Sequence, residues 1–422
     1  MRRAVITGMG VIAPGGVGTK PFWEQITSGR SATRPVTLFD ATGFRSRIAG
    51  EVDFDPLAAN LSREQAEGLD RMVQFAVVCL REALEDSGLW MAGLNPERTG
   101  VSVGTAVGCT MGLESQYVAV SGRGSEWLVD HRRAAEQLFD FFVPSSLARE
   151  VAWAAGAEGP ATVVSTGCTS GLDAVGHALE LIRDGSADVM ITGASDAPLS
   201  PITYACFDAL RATSPDNHDP AGACRPFDRT RNGFALGEGA AIFVVEELEH
   251  ARRRGAHVYA ELAGFATRCN AYHMTGLRPD GREMAEAIRE AMRQARLAPE
   301  DFDYINAHGS GTKQNDLHET AAFKDALGPA AYGIPVSSIK SMIGHSLGSV
   351  GSIEIAACAL AIEHGVVPPT ANLHEPDPEC DLDYIPLVAR EREVDAALSV
   401  GSGFGGFQSA AILRRLKDRE HE

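Results

Sequence analysis

An α/β protein with parallel strand pairings is the fold class this sequence predicts, on three observations. Short apolar runs alternate with longer segments of helical period along the whole chain, the pattern of strands joined by crossover helices. Gly171 and Gly185 bracket an apolar helical segment after Cys168, and Gly351 and Gly365 bracket a similar one 180 residues later, after His345. At 422 residues and 44% hydrophobic, the chain can bury a large core shared by two or three units. The repeated spacing is what a duplicated α/β unit with one reactive loop in each copy would leave.

Taken in order, Ala4–Thr7, Val101–Val103, Ala161–Val164, Asp188–Ile191 and Ala241–Val245 read as strands. Leu172, Val175, Leu179 and Ile182 recur every three or four residues and mark the core face of a helix. Gly185 falls where its left-handed C-terminal cap belongs. Thr162–Ser165 and Pro335–Ile339 are the strand-like runs ahead of the two bracketed segments, and Phe302–Ile305 is a further one. The charged run Glu246–Gly255 marks the seam, dividing residues 1–252 from residues 253–422, and the tail after Leu416 is expected to fray. Gly8-Met9-Gly10-Val11-Ile12-Ala13 imitates a dinucleotide-binding turn, but Pro14-Gly15-Gly16 would break the helix such a site needs. It reads as a structural turn.

Composition excludes several classes. The net charge of −18 offers no basic face for nucleic acid or an anionic membrane. No run reaches the ~18 apolar residues of a membrane helix, and Met1-Arg2-Arg3 leads too quickly to Gly8 for a secretory signal. The eight cysteines are scattered with no C-x-x-C pair, so no zinc knuckle, redox dithiol or other metal site is expected. Reduced thiols in a cytoplasm are the expectation, most of them small buried apolar groups.

One cysteine stands apart. In Ser165-Thr166-Gly167-Cys168-Thr169-Ser170-Gly171 a strand ends, small residues turn the chain, and a helix starts beside the thiol. The helix dipole and free N–H groups there favour a thiolate nucleophile, and the same amides can hold an oxyanion. Asn306-Ala307-His308-Gly309-Ser310-Gly311-Thr312 sets a histidine in a hydroxyl-rich loop after a strand, suited to an amide-bearing, pantetheine-like ligand. Lys340-Ser341-Met342-Ile343-Gly344-His345 repeats the logic. For each, a histidine on a helix face or a solvated lysine is the plainer alternative. Gly401-Ser402-Gly403-Phe404-Gly405-Gly406-Phe407 lacks the Lys-Ser/Thr of a phosphate loop, and Phe404 reads as a movable gate or a core anchor. Glu354, on an apolar helix, needs a buried cation, for which Lys340 is the candidate.

These motifs resemble the Cys-His-His set of the decarboxylating β-ketoacyl-[acyl carrier protein] synthases, over essentially the whole chain. Gly167-Cys168-Thr169-Ser170-Gly171, His308-Gly309-x-Gly311-Thr312, Lys340-Ser341-x-x-Gly344-His345 and Gly403-Phe404-Gly405-Gly406 match four ordered blocks. The resemblance implies a thiolase fold: two α/β halves stacked in five αβαβα layers, the nucleophile Cys168 on residues 1–252 and both histidines on 253–422. Ser165–Asp173 and Thr267–Leu277 look like the ketosynthase alpha subunit of type II aromatic polyketide synthases. That subclass implies a heterodimer with a chain length factor, a homologous subunit without the active cysteine. A fatty-acid elongating synthase, working as a homodimer, is the alternative; a non-catalytic subunit and a coenzyme A-dependent thiolase fit less well.

By the same resemblance, Cys168 takes an acyl chain from acyl carrier protein, and malonyl-carrier is decarboxylated and condensed with it. Amides of Cys168 and Phe404 would hold the oxyanion, and His308 and His345 the enolate oxygen. Lys340 would hydrogen-bond and tune His308, Glu354 would neutralise Lys340, and Asp316 and His273 lie near the site. Ser310, Thr312 and Thr275 are candidates for the phosphopantetheine arm, which the carrier supplies; this chain needs no bound cofactor. Because the helix beginning near residue 61 is not basic, Arg211, Arg225, Arg229 and Arg231 are the alternative carrier contacts. Starter unit, chain length and cyclisation are not written in these motifs.

Overall fold

The computed structural model describes residues 2–90, 93–126 and 128–417. The expected fraying beyond Leu416 lies almost wholly outside them. Ten strands form its central sheet: β1 (Ala4–Ala13), β2 (Thr99–Gly104), β3 (Ala161–Val164), β4 (Val189–Asp196) and β5 (Gly239–Glu247), then β6 (Ala260–Cys269), β7 (Tyr304–Asn306), β8 (Val336–Ser337), β9 (Ala396–Gly403) and β10 (Phe407–Arg414). Their order is β8-β7-β9-β10-β6-β1-β5-β4-β2-β3, with the two-residue Gly16–Val17 paired beside β1. Each half repeats the other: the third strand pairs parallel to the second, the second parallel to the fourth, and the fourth, fifth and first run antiparallel in turn. Among the described residues, Ala4–Ile6 and Ala260–Leu262 join the halves through the sheet.

Four helices complete the layers: α1 (Arg71–Ser87), α2 (Ser170–Arg183), α3 (Arg282–Ala295) and α4 (Val350–His364). α1 covers the outer face of the first half-sheet and α3 that of the second, while α2 and α4 pack on each other between the two. This is the five-layer arrangement expected of a thiolase fold. The predicted face Leu172, Val175, Leu179 and Ile182 joins Ile353, Ile355 and Leu360 of α4 in the central core. Gly185 and Gly365 end the two segments in left-handed backbone, φ 85° and 63°. Residues 347–364 have a mean hydropathy of 1.2 because they are the middle layer, 89% buried.

Two sequence expectations change. Gly8-Met9-Gly10 is not a turn but the interior of β1. Its glycines exist because α1 lies directly on the strand: a Cβ on Gly10 would sit 2.1 Å from the Cys79 carbonyl oxygen, and one on Gly8 2.3 Å from that of Ala83. Past Ile6 the strand has lost β6 as a neighbour, so Met9 and Val11 donate their N–H groups to Asp86 and Glu82 of α1, at 2.9 and 3.1 Å. The 401–407 segment is likewise mostly strand, leaving a three-residue hairpin, Phe404-Gly405-Gly406, with φ near 90° at both glycines. The seam at 252 falls in a short helix, Leu248–Arg253. Because backbone cannot retreat as a side chain can, Gly10→Val should cost about 3 kcal/mol; a urea midpoint equal to that of the native protein would contradict this packing.

Candidate active site

Cys168 sits in a single tight turn, Gly167–Thr169, between β3 and the first residue of α2. Gly167 takes φ 65°, and the turn is bound to itself: Thr166 N–H donates to Ser170 Oγ (3.0 Å) and Ser170 Oγ to the Gly167 carbonyl (2.6 Å). Asp173, one turn into α2, accepts from Thr169 Oγ1 at 2.9 Å and from Ser409 Oγ of β10 at 2.5 Å. The sulfur is thereby fixed relative to both halves.

The thiol is not pre-ionised. Burial pushes it up to about 11, against the pull of the Lys340 charge and the backbone N–H groups of Phe404 and Cys168 itself. One donor thus comes from the turn at the helix start and one from the Phe404 hairpin of the other half, and desolvation outweighs both in the resting protein.

His308 and His345 close the other side, their ring centroids 5.3 Å apart at 79°. Burial first, then the nearby Lys340 ammonium, holds both imidazoles well below the ordinary histidine range, so both are neutral. Leu347 N–H donates to His345 Nδ1 at 3.1 Å, which leaves the ring proton on Nε2. His345 is also stitched to the first half, its N–H to Ala235 O (2.8 Å) and its carbonyl accepting from Gly237 (2.9 Å).

Lys340 and Glu354 form the expected ion pair, both side chains fully buried. Burial raises Glu354 to about 7 in spite of its partner. Lys340 Nζ does not reach the His308 ring; it donates to the His308 carbonyl at 2.5 Å and so grips the backbone of the loop. From the other side Glu319 accepts the N–H groups of His308 (2.5 Å) and Gly309 (2.8 Å). Sequence reasoning missed Glu319. Its signal was the spacing on helix Lys313–Leu327, where it lies three residues beyond Asp316 and faces back over the glycine loop. Asp316 ties that loop to residues 227–231, accepting from Gly311 N (3.2 Å) and Phe227 N (2.9 Å) and forming an ion pair with the Arg231 guanidinium.

Cys168, His308, His345 and Phe404 share one cavity of about 220 Å³. Ser310, Thr312 and Thr275 line it too, with Phe207 and Phe234 as apolar wall and Arg211 among the lining residues. Phe404 is partly exposed, 6.3 Å from the Phe207 ring, a surface position rather than a core anchor. His273 does not line the cavity; its Nδ1 accepts from Thr275 and Gly276 and shapes a turn. Arg231 cannot meet a carrier: it is 1% exposed and bound to Asp316 and Asp377. Arg225 and Arg229 face outward more but are paired with Asp216 and Glu375. Among the described residues no cluster of His, Cys, Asp and Glu is placed to hold a metal.

A thiol, two neutral imidazoles and backbone donors around one cavity are the equipment of an acyltransferase that handles thioesters. Two family models match the chain: Beta-ketoacyl synthase, N-terminal domain, over residues 1–251, and Beta-ketoacyl synthase, C-terminal domain, over residues 259–374. The chain is 70% identical over 417 residues to the tetracenomycin polyketide synthase ketoacyl synthase alpha subunit of Streptomyces glaucescens, covering 99% of this chain and 98% of that protein. It is similar, with a TM-score of 0.92 and 40% identity, to the solved structure of a type II polyketide synthase acyl-carrier protein in complex with its ketosynthase bound to the hexaketide (99% and 100% covered). The ishigamide ketosynthase/chain length factor gives 0.90 and 35% over the same shares. The chain belongs to the β-ketoacyl synthase family, in its branch of type II polyketide ketosynthase alpha subunits. Its reaction is decarboxylative Claisen condensation, which lengthens a poly-β-ketone chain.

Glu319 gives the site a pH signature. Burial raises it to about 8, so between the ordinary carboxylate value and pH 8 the folded protein binds a proton that the unfolded chain does not. Its contribution to stability is greatest in acid and falls as pH rises. Glu319→Gln should flatten the fall in chemical stability between about pH 6 and pH 8 by about 1 kcal/mol per pH unit. Identical slopes in denaturant titrations would show Glu319 ionised throughout.

Proposed function

We propose that Cys168, His308 and His345 divide this condensation between them, with Cys168 as nucleophile and the two histidines as enolate donors. The observation that carries the reading is their convergence on one cavity with the His345 proton held on Nε2. Cys168 Sγ attacks the thioester carbonyl of an acyl chain on the carrier's phosphopantetheine arm. The N–H groups of Cys168 and Phe404 hold the oxyanion, the carrier thiolate leaves, and the thiol proton passes to it. Malonyl-carrier then binds. Carbon dioxide departs, and its bonding pair becomes an enolate whose oxygen accepts from His308 and His345. The enolate carbon attacks the acyl carbonyl, the carbon–sulfur bond breaks, and the Cys168 thiolate takes up a proton from solvent.

Neutral imidazoles suit this task, since a donor without net charge is not drawn to the substrate carboxylate and acts when the enolate forms. Lys340, Glu354, Glu319 and Asp316 position the His308 loop without touching substrate. The hydroxyls of Ser310, Thr312 and Thr275 receive the amides of the arm, and Phe404 gates the thiol. The division of labour falls between residues 1–252, with the nucleophile, and 253–422, with the histidines.

The reading includes a heterodimer with a chain length factor and docking of acyl carrier protein, in the cytoplasm. Two features support the first. Among the described residues β3 pairs only with β2 and leaves its outer edge unpaired. Helices Thr110–Val120 and Leu138–Phe142 pack together yet expose Tyr117, Val118, Phe139 and Phe142. The solved relatives described as a ketosynthase/chain length factor and as a ketosynthase with its carrier protein support both.

Cys168→Ala should abolish chain extension, and retained extension would remove the nucleophile. His345→Ala should cut carbon dioxide release from malonyl-carrier by about a hundredfold or more; release at the native rate would refute its role. The chain should yield polyketide only when purified with a homologue lacking the active cysteine. Product from the chain alone would favour the homodimeric, fatty-acid-like reading.

A further inference from the structure

We propose that the face of the molecule at the far end of α2 from the thiol holds a binding pocket for a small phosphate-bearing anion. A cavity of about 320 Å³ lies there between the start of β1, the first residues of β6, the end of β10 and the C-terminal ends of α2 and α3. Arg2, Arg3, Arg183, Arg296 and Arg414 line it. The one carboxylate among them, Glu261, is already divided between Arg3, at 2.6 and 2.8 Å, and Arg414, at 2.6 Å. Arg2 is paired with Asp188, which also holds Arg98. Glu180 and Glu249 act on the arginines only from a distance. Positive charge is in excess here, on a chain whose net charge is −18.

Arg183 carries the inference furthest. Its guanidinium is half-buried and donates to Gln294 Oε1 at 3.1 Å and the Ala263 carbonyl at 2.7 Å, both neutral acceptors. Burial accordingly holds it below the ordinary arginine value. Arg296 is presented at the cap of α3 by a left-handed backbone, φ 56°. Neither arginine forms an ion pair among the described residues. The ends of α2 and α3 offer about half a negative charge each, too little for five guanidiniums. Planar forks arriving from several sides match the oxygens of a phosphoryl group, which accept paired N–H donors. The cavity has room for one or two such groups. A ligand there would clamp the first strands of the two halves together, about 21 Å along α2 from the catalytic turn.

Inorganic phosphate, pyrophosphate and ADP, titrated calorimetrically into the full chain at an ionic strength fixed with chloride, test this. At least one should bind saturably, and Arg183→Gln combined with Arg296→Gln should weaken it about tenfold or more. Binding of phosphate or pyrophosphate would assign the pocket to phosphoryl groups alone; binding of ADP alone would assign it to a nucleotide. Arg183→Gln removes two hydrogen bonds, so Arg296→Gln alone, which removes none among the described residues, is the second variant: it should melt with the native protein in chloride and still weaken binding. No saturable binding of any of the three, or equal binding by either variant, would overturn the proposal.

Discussion

Two helices begin within van der Waals contact of each other, and the positions of the reactive groups follow from that crossing. A Cβ on Gly171 would lie 2.6 Å from Ser352 N, and one on Gly351 3.0 Å from Leu172 N. Neither α2 nor α4 could start where it does with a larger residue at these places. Because both starts are close, the turn ahead of α2 and the loop ahead of α4 open into one space. Cys168 and His345 thus share a cavity though they belong to different copies of the repeat. The glycines are an energetic concession, since each weakens its helix by up to ~1 kcal/mol relative to alanine. Burial of the whole middle layer offsets it.

Within that space a single ammonium acts on every titratable group, alongside the larger effect of burial. Lys340 faces Cys168, His308, His345, Glu319 and Glu354, and it biases each toward its negative or neutral form. Desolvation works with it on the imidazoles and against it on the thiol and carboxylates. The histidines are therefore firmly neutral, whereas the thiol is left protonated. Glu354 makes this cation tolerable, as an unpaired ammonium at full burial would be too costly to keep. The pair thus secures the electrostatics of the site and, through the His308 carbonyl, its geometry.

Much of this was legible in the sequence. Cys168, His308 and His345 stood out because glycine, serine and threonine surround them where strands end, and such loops are rarely core. Glu354 was legible as a charge on an apolar helix that needs a buried cation, and Lys340 as the candidate to supply it. Other features depend on tertiary contact and left no local mark. Gly8 and Gly10 look like turn residues until α1 is seen lying on β1. Arg231 looks like a surface cation until Asp316 and Asp377 close over it. Glu319 is hidden because its partners are backbone amides, which every residue possesses. The elevated thiol pKa could not be read from the helix start either, because burial depends on Phe404 and both histidine loops.

The two copies also show how one frame came to hold two chemistries. Five residues separate β3 from α2, whereas twelve separate β8 from α4. The short connection leaves room for one tight turn and one thiol at a helix start, where backbone donors converge. The longer one accommodates the extra helical turn Lys340–Ile343 and then the His345 loop, so it delivers a cation and an imidazole from a single segment. At the place in the second copy that corresponds to Cys168 stands Gly348, whose Cβ would fall 2.5 Å from Ala106 N. No side chain, and hence no second nucleophile, fits there. The crowding that lets the helices meet also makes the site asymmetric, with one sulfur faced by two rings.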